Sequence, residues 1–330
     1  MSFRNREKER YGILKPILFS PQAQHLGTYK KKSYPFCLAD GYSQENLHKS
    51  FRDDAIEYFK KRNIPWHDGT KDSLPSPHLC CSQTMCVNTL FPMTTDKELL
   101  QRVFQVYLPE MKEPLPFTTD DPLPNGDYPY MCFEWSGKKT HFEGERNWPQ
   151  RGANCTSLDF AFFFRRHDGK RQLVLGEWKY TEEYKSHKLP PKEEINKTRW
   201  KTYQEDFRIW RASNPNVPTY EHYFVEPFYQ LMRQSVLADK MQLEREMNAD
   251  VVVHLHISPK ANKEFSDAFT SPIFSKYGNT VLESWKGVSH QGKFVSIHSE
   301  SLLTLIGQIS DNKNWSDWLL KRYGWWRQKR

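Results

Sequence analysis

The chain has 330 residues, a formal net charge of +8, 27% charged residues and 15% aromatic residues. This length and aromatic content support a substantial core and exclude a disordered composition, and no apolar run reaches the ~20 residues of a membrane span. The N-terminus, Met1 to Arg10, lacks the apolar centre of a signal peptide, so a cytoplasmic location is expected.

Residues 1–76 are polar and punctuated by proline, with one helical stretch at 46–62, and are expected to form an N-terminal extension to a domain spanning 77–330. The spacing of apolar residues predicts helices over 81–91 and 95–108. The Pro-rich acidic stretch 110–128 reads as a loop. A strand is expected at 129–135, followed by a polar segment that carries Glu143 and Glu145.

The next segment is a hairpin. Ser157 to Phe164 places Phe160, Phe162 and Phe164 on one face and Asp159 on the other, because alternate side chains of a strand share a face. Arg171 to Tyr180 places Glu177 and Lys179 with Leu173 and Leu175. Between the strands, His167-Asp168-Gly169-Lys170 carries an Asp-Gly turn signal. A two-residue loop would set Asp159 opposite Trp178, whereas an odd loop with Gly169 left-handed would set it opposite Glu177. Helices follow at 191–212 and 225–247, then a buried strand, Asp250 to Ile257. The long helical connection suits a parallel crossover.

Charged residues at the end of an apolar strand need a reason, since burying an unpaired ion costs several kcal/mol. Two converging carboxylates repel unless a cation lies between them. Mg²⁺ takes oxygen ligands and keeps several waters, and a bound metal polarises a phosphoryl oxygen and favours hydroxide. A lysine beside that water stabilises developing charge. The competing account is a surface hairpin with ordinary ion pairs.

Asp159 followed by Glu177-Trp178-Lys179 resembles the signature of the PD-(D/E)XK, or restriction-endonuclease-like, nuclease superfamily, with Leu158 where that pattern has Pro. The longer stretches Arg151 to Asp159 and Glu177 to Glu182 are similar to a bacterial group of restriction endonucleases within it. So are Ser82 to Asn88, Leu231 to Gln234 and Lys321 to Gly324, and the likeness runs from about residue 30 onwards. It implies an α/β fold with an α-β-β-β-α-β core, a mixed central sheet flanked by helices, and N- and C-terminal additions. It implies Asp159 and Glu177 as ligands of Mg²⁺, with Mn²⁺ as a substitute, and Lys179 beside the nucleophilic water. DNA is the implied substrate, with a homodimer and a companion methyltransferase as candidate partners.

Other sites are weighed against plainer accounts. Superfamily members often carry a further upstream acid; Glu134, Glu143 and Glu145 are candidates, and Glu145 is favoured because Gly144 precedes it and Arg151-Gly152 follows. Arg233 and Gln234, on the crossover helix, are candidates to contact phosphate or support Lys179. Gln83 and Asn88 are similarly placed on the helix at 81–91, with a solvated face as the alternative. His254 and His256 read as satisfied strand histidines. His78, Cys80, Cys81 and Cys86 cluster without a second CxxC pair, so buried reduced thiols are expected rather than zinc. The C-terminus reads as an amphipathic helix with Trp315, Trp318 and Leu319 inward and its cations in solvent; base stacking by its aromatics is the alternative. The function expected is a metal-dependent DNA endonuclease of restriction or defence. A nucleic-acid-binding protein with little catalysis is the runner-up. Lys179 and the basic charge disfavour a two-carboxylate glycoside hydrolase.

Overall fold

The computed structural model describes residues 1–137, 156–184, 193–213 and 217–327. The chain opens with helix α1 (Phe3–Leu18), the hairpin β1 (Gly27–Tyr29) and β2 (Lys32–Tyr34), and helices α2 (Arg52–Lys61), α3 (Ser82–Leu90) and α4 (Lys97–Phe104). Strands β3 (Met111–Leu115), β4 (Met131–Trp135), β5 (Leu158–Arg166) and β6 (Arg171–Trp178) follow, then helices α5 (Glu193–Ser213) and α6 (Phe228–Leu243). Strand β7 (Val251–Ser258), helices α7 (Lys263–Ser266) and α8 (Val281–Val288), strand β8 (Phe294–His298), and helices α9 (Ser299–Ile309) and α10 (Lys313–Tyr323) complete it.

The central sheet has six strands. One edge of β5 is shared: β3 pairs with its C-terminal half, Leu115 opposite Phe163, and β4 with its N-terminal half, Met131 opposite Phe162. Both are antiparallel, as is β6 on the other edge, while β7 and β8 extend the sheet in parallel. The parallel steps are made by α5 and α6, and then by α7 and α8, because parallel neighbours cannot be joined by a tight turn. This mixed sheet with helical layers is compatible with a nuclease-like fold.

The alternation of β5 sorts the layers. Phe160, Phe162 and Phe164 enter one core with residues of α1, α3, α4, α9 and α10, and their rings stack along the strand with centroids 6.4 and 6.3 Å apart. Ala161 and Phe163, with Leu173 and Leu175 of β6, meet Leu237, Ala238 and Met241 of α6 on the other face. Beyond it, α5, α6 and α8 pack around Trp210, Phe228 and Trp285. The first core runs through the opening 76 residues without a break, joining Phe3, Tyr11, Phe36 and Phe59 to the sheet.

Several elements depart from the sequence expectations. The helical stretch at 46–62 is shorter, Arg52–Lys61. The stretch 110–128, expected as a loop, contains β3; its Pro114 is tolerated because β3 lies at the end of the strand order. Helix α1 was hidden by polar residues that are in fact buried: Arg10 pairs with Glu7 at 2.5 Å, and the Tyr180 hydroxyl also donates to Glu7. In α10, Trp315 and Leu319 are buried as expected and Trp318 is partly so, but Arg322, expected in solvent, is buried. Its guanidinium donates to the Asn46 carbonyl at 2.8 Å and to the Asn46 side-chain oxygen.

Gly176 tests the packing of the central hairpin. It lies opposite Phe160, and a Cβ there would sit 2.1 Å from that ring. Gly176→Ala should therefore destabilise the fold by about 1–3 kcal/mol through overpacking, read as a lower urea midpoint. An unchanged midpoint would mean that the Phe160 ring moves freely.

Candidate active site

The loop between β5 and β6 decides the site. The last ladder pair is Arg165 with Arg171, and the Arg166 N–H donates to the Lys170 carbonyl at 2.8 Å, which leaves 167–169 as a three-residue loop. Gly169 has φ +84°, the left-handed conformation that a glycine adopts without strain. The odd loop fixes Phe160 opposite Gly176, and one step further along the same register Asp159 comes opposite Glu177.

The three side chains of the Asp and Glu-x-Lys pattern come together at the end of the sheet. Glu177 and Lys179 are buried, with 3% and 7% of their surface exposed, and Asp159 is half-buried with an edge on the cleft. Lys179 Nζ donates to Glu177 Oε1 at 2.6 Å. Asp159 Oδ2 accepts the Trp178 backbone N–H at 2.7 Å. All three line a cleft of about 620 Å³, together with Gln83, Glu134, Glu182, Glu226 and Arg233.

Helix α6 supplies the polar partners. Gln230 Nε2 donates to Glu177 Oε1 at 2.9 Å and Gln234 Nε2 to Glu177 Oε2 at 2.5 Å. The two glutamines are one helical turn apart and share a face. Gln234 therefore holds Glu177 rather than Lys179. Arg233 lines the cleft and donates from Nε to Thr156 Oγ1 at 3.1 Å.

The remaining candidates separate. Of the three upstream acids, Glu143 and Glu145 lie outside the described residues, while Glu134 borders the cleft and accepts from Gln83 Nε2 at 2.5 Å. Glu134 has φ +51°, an uncommon value for a residue with a side chain, at the strand next to Asp159. Asn88 is absent from the cleft lining; it is buried and bonded to the His48 N–H, the Asn46 carbonyl and the Tyr323 hydroxyl. His254 and His256 are kept neutral by burial and by Lys179, with His254 lowered to about 3. His256 stacks on Phe265 and His254 reaches Ser235. His78 Nδ1 accepts the Cys80 N–H at 3.1 Å, and among the described residues no group of three or more His, Cys, Asp or Glu side chains could hold a metal ion. Tyr184 and Glu226 also line the cleft, and nothing in the sequence pattern marks them; Gln230 stands four residues from Gln234, a spacing that pairs them on any helix.

The fold and this site define a class: an α/β protein with two acids and a lysine gathered at the end of a mixed sheet. The chain belongs to the family of restriction endonucleases associating with ARP (REase-ARP), whose family model matches residues 17–324. That description is of a DNA-cleaving hydrolase. No curated protein and no solved structure matches the chain. Among the described residues no helix is long and apolar enough to cross a membrane.

Burial and the neighbouring Glu177 carboxylate push the Asp159 carboxyl up, to about 8, against the opposing pull of Lys179 and the Trp178 N–H. An aspartate in the unfolded chain titrates near ~3.9, so between these values the folded state holds a proton that the unfolded state lacks. This contribution to stability is present at low pH and is lost as pH rises through about 8. Asp159→Asn, neutral throughout, should match wild type near pH 4 and exceed it increasingly towards pH 8, by an amount on the order of a few kcal/mol. Melting curves of both proteins across this range check it; parallel pH profiles would contradict the shift.

Proposed function

We propose that this chain is a metal-dependent DNA endonuclease of the PD-(D/E)XK type, acting in restriction or defence. The observation that carries the reading is the gathering of Asp159, Glu177 and Lys179 around one cleft by the odd loop of the β5–β6 hairpin. The succession β4, β5 and β6 antiparallel, then α5 and α6, then β7 parallel supports it. So does membership of a restriction-endonuclease family.

The residues fit a hard divalent cation. Asp159 is forced towards its protonated form by burial and by Glu177, a penalty that a cation bound to both carboxylates would relieve. Asp159 and Glu177 would hold the ion, with water completing its shell as Mg²⁺ prefers. Once bound, the ion would supply Lewis acidity toward the phosphate and lower the pKa of a bound water.

The chain's own residues do the rest. Gln230 and Gln234 fix both oxygens of Glu177, so that its orientation is set before substrate arrives. Burial pulls the Lys179 pKa down, but Glu177, Tyr184, Glu182 and Asp159 outweigh it and hold the side chain well above its ordinary value. Lys179 is therefore an ammonium at neutral pH and acts by stabilising negative charge on the phosphoryl oxygens as water attacks, rather than as a base. Arg233, on the cleft wall, offers a second cation to the phosphate. A restriction role implies a companion methyltransferase that protects the host's own DNA, and cutting both strands implies two copies of the site, as a homodimer provides.

The test is plasmid cleavage with Mg²⁺ and with EDTA. Wild type should nick or linearise DNA only with the metal. Asp159→Ala and Glu177→Ala should abolish cleavage, and Lys179→Ala should slow it by at least ~10²-fold, on the scale of losing one oxyanion donor. Lys179→Arg should not rescue it, because a planar guanidinium differs in reach and geometry. Cleavage that continues in EDTA, or full activity in Lys179→Ala, would overturn the mechanism. DNA binding without cleavage would favour a binding protein.

A further inference from the structure

A second cavity, of about 380 Å³, adjoins the cleft, and His67, Asp68, Ser82 and Glu182 line both. Its other walls carry Arg4 and Lys8 of α1 and Lys30 at the tip of the β1–β2 hairpin. Lys8 is partly buried with its ammonium 4.7 Å from the Phe36 ring centroid. Lys31 and Lys32 continue the hairpin tip, exposed and without an ion pair among the described residues. Arg4 also lies 3.5 Å from Glu183, and Asp68 and Glu182 share the cavity wall with these cations. The exposed lysines of the hairpin tip thus lead to a cavity whose shared walls border the cleft of Asp159, Glu177 and Lys179.

The hairpin itself is unusual. Tyr29 pairs with Lys32, which leaves Lys30 and Lys31 as a two-residue turn, and both have positive φ, +48° and +66°. This turn strongly prefers Asn-Gly, Asp-Gly or Gly-Gly, because side chains are strained there. Strain of this kind persists where the surroundings enforce it, and it points towards a function. The surroundings do so here. The Tyr29 hydroxyl donates to Asp68 Oδ2 at 2.5 Å, Lys30 lies 3.6 Å from the same carboxylate, and the Tyr29 ring meets His78 edge-on at 4.9 Å. At the base of the hairpin, a Cβ on Gly27 would lie 1.7 Å from the Leu38 carbonyl, so β1 runs hard against the next segment. The turn is braced, through Asp68, to the loop that lines the cleft.

We propose that the β1–β2 hairpin, with Arg4 and Lys8 of α1, is a phosphate clamp that grips the DNA backbone next to the bond being cut. The proposal rests on the nuclease reading of the neighbouring cleft. The clamp contacts phosphates and not bases, so it positions the duplex and contributes affinity without sequence preference. Lys30, Lys31 and Lys32 are positioning residues, outside the chemistry.

The turn provides an unusually clean variant. Lys30→Asn combined with Lys31→Gly removes two cations and installs the residues this turn prefers, so the fold should be as stable as wild type or more so. Binding to a short labelled duplex, followed by fluorescence anisotropy in EDTA, should weaken on the order of tenfold, and the slope of log affinity against log salt should become shallower by about two, near 0.9 per lost phosphate contact. With Mg²⁺, KM for plasmid should rise while kcat holds. Lys60→Gln with Lys97→Gln, which removes the same charge from α2 and α4, serves as the control. Unchanged binding in the hairpin variant, or an equal loss in the control, would overturn the clamp while leaving the nuclease reading intact. A wild-type protein that binds DNA through the hairpin yet never cleaves would sustain the clamp and sink the nuclease reading. Wild type with no salt-dependent DNA binding would sink both.

Discussion

The constraint on which the site depends is the register of one hairpin. A strand's side chains alternate, so moving β5 by a single residue against β6 would send Asp159 to the face opposite Glu177. The three-residue loop at 167–169, closed by Gly169 in a left-handed conformation, prevents that slip. The Phe160, Phe162 and Phe164 stack locks it from the other face, because the same slip would carry three buried rings into the layer of α6. The apolar pattern and the acid pair are therefore one design: the core cannot form in the register that would disperse the site.

The register creates an electrostatic problem as well as a site. Glu177 is stabilised by Lys179 and by two glutamine amides. Asp159 receives one backbone N–H, and burial together with Glu177's charge drives its carboxyl upward. One acid is satisfied and the other is not. Such an imbalance costs stability in the isolated chain, and it is the kind of arrangement that a binding site retains because a ligand resolves it.

Much of this was legible in the sequence because it is local. The Asp-Gly turn, the alternating phenylalanines and Glu-x-Lys spacing lie within two adjacent strands, and period-two patterning reports faces directly. The helices at Ser82–Leu90 and Glu193–Ser213 and the strand at Val251–Ser258 carried equally local signals. What escaped was non-local. Strand β3 is built from a stretch whose prolines signal a loop, and only its place at the sheet edge makes Pro114 acceptable. Helix α1 looks polar because the Glu7 and Arg10 pair and Lys15 are buried; Lys15 is satisfied by the His25 and Cys37 carbonyls, partners that no window of sequence shows. Arg322 was expected in water for the same reason, and its acceptors come from Asn46. Gln230 joined the site only when α6 was laid across the end of β6.

The central claim is that the hairpin register brings Asp159 and Glu177 together to share one cation. Titrating the protein with Mn²⁺ at pH 8 and counting the free ion by electron paramagnetic resonance tests this without DNA or turnover. The account predicts one saturable site per chain in wild type, its loss in Asp159→Asn and in Glu177→Gln, and its retention in Lys179→Ala, because an ammonium is not a ligand. Equal Mn²⁺ uptake by wild type and Asp159→Asn would contradict it.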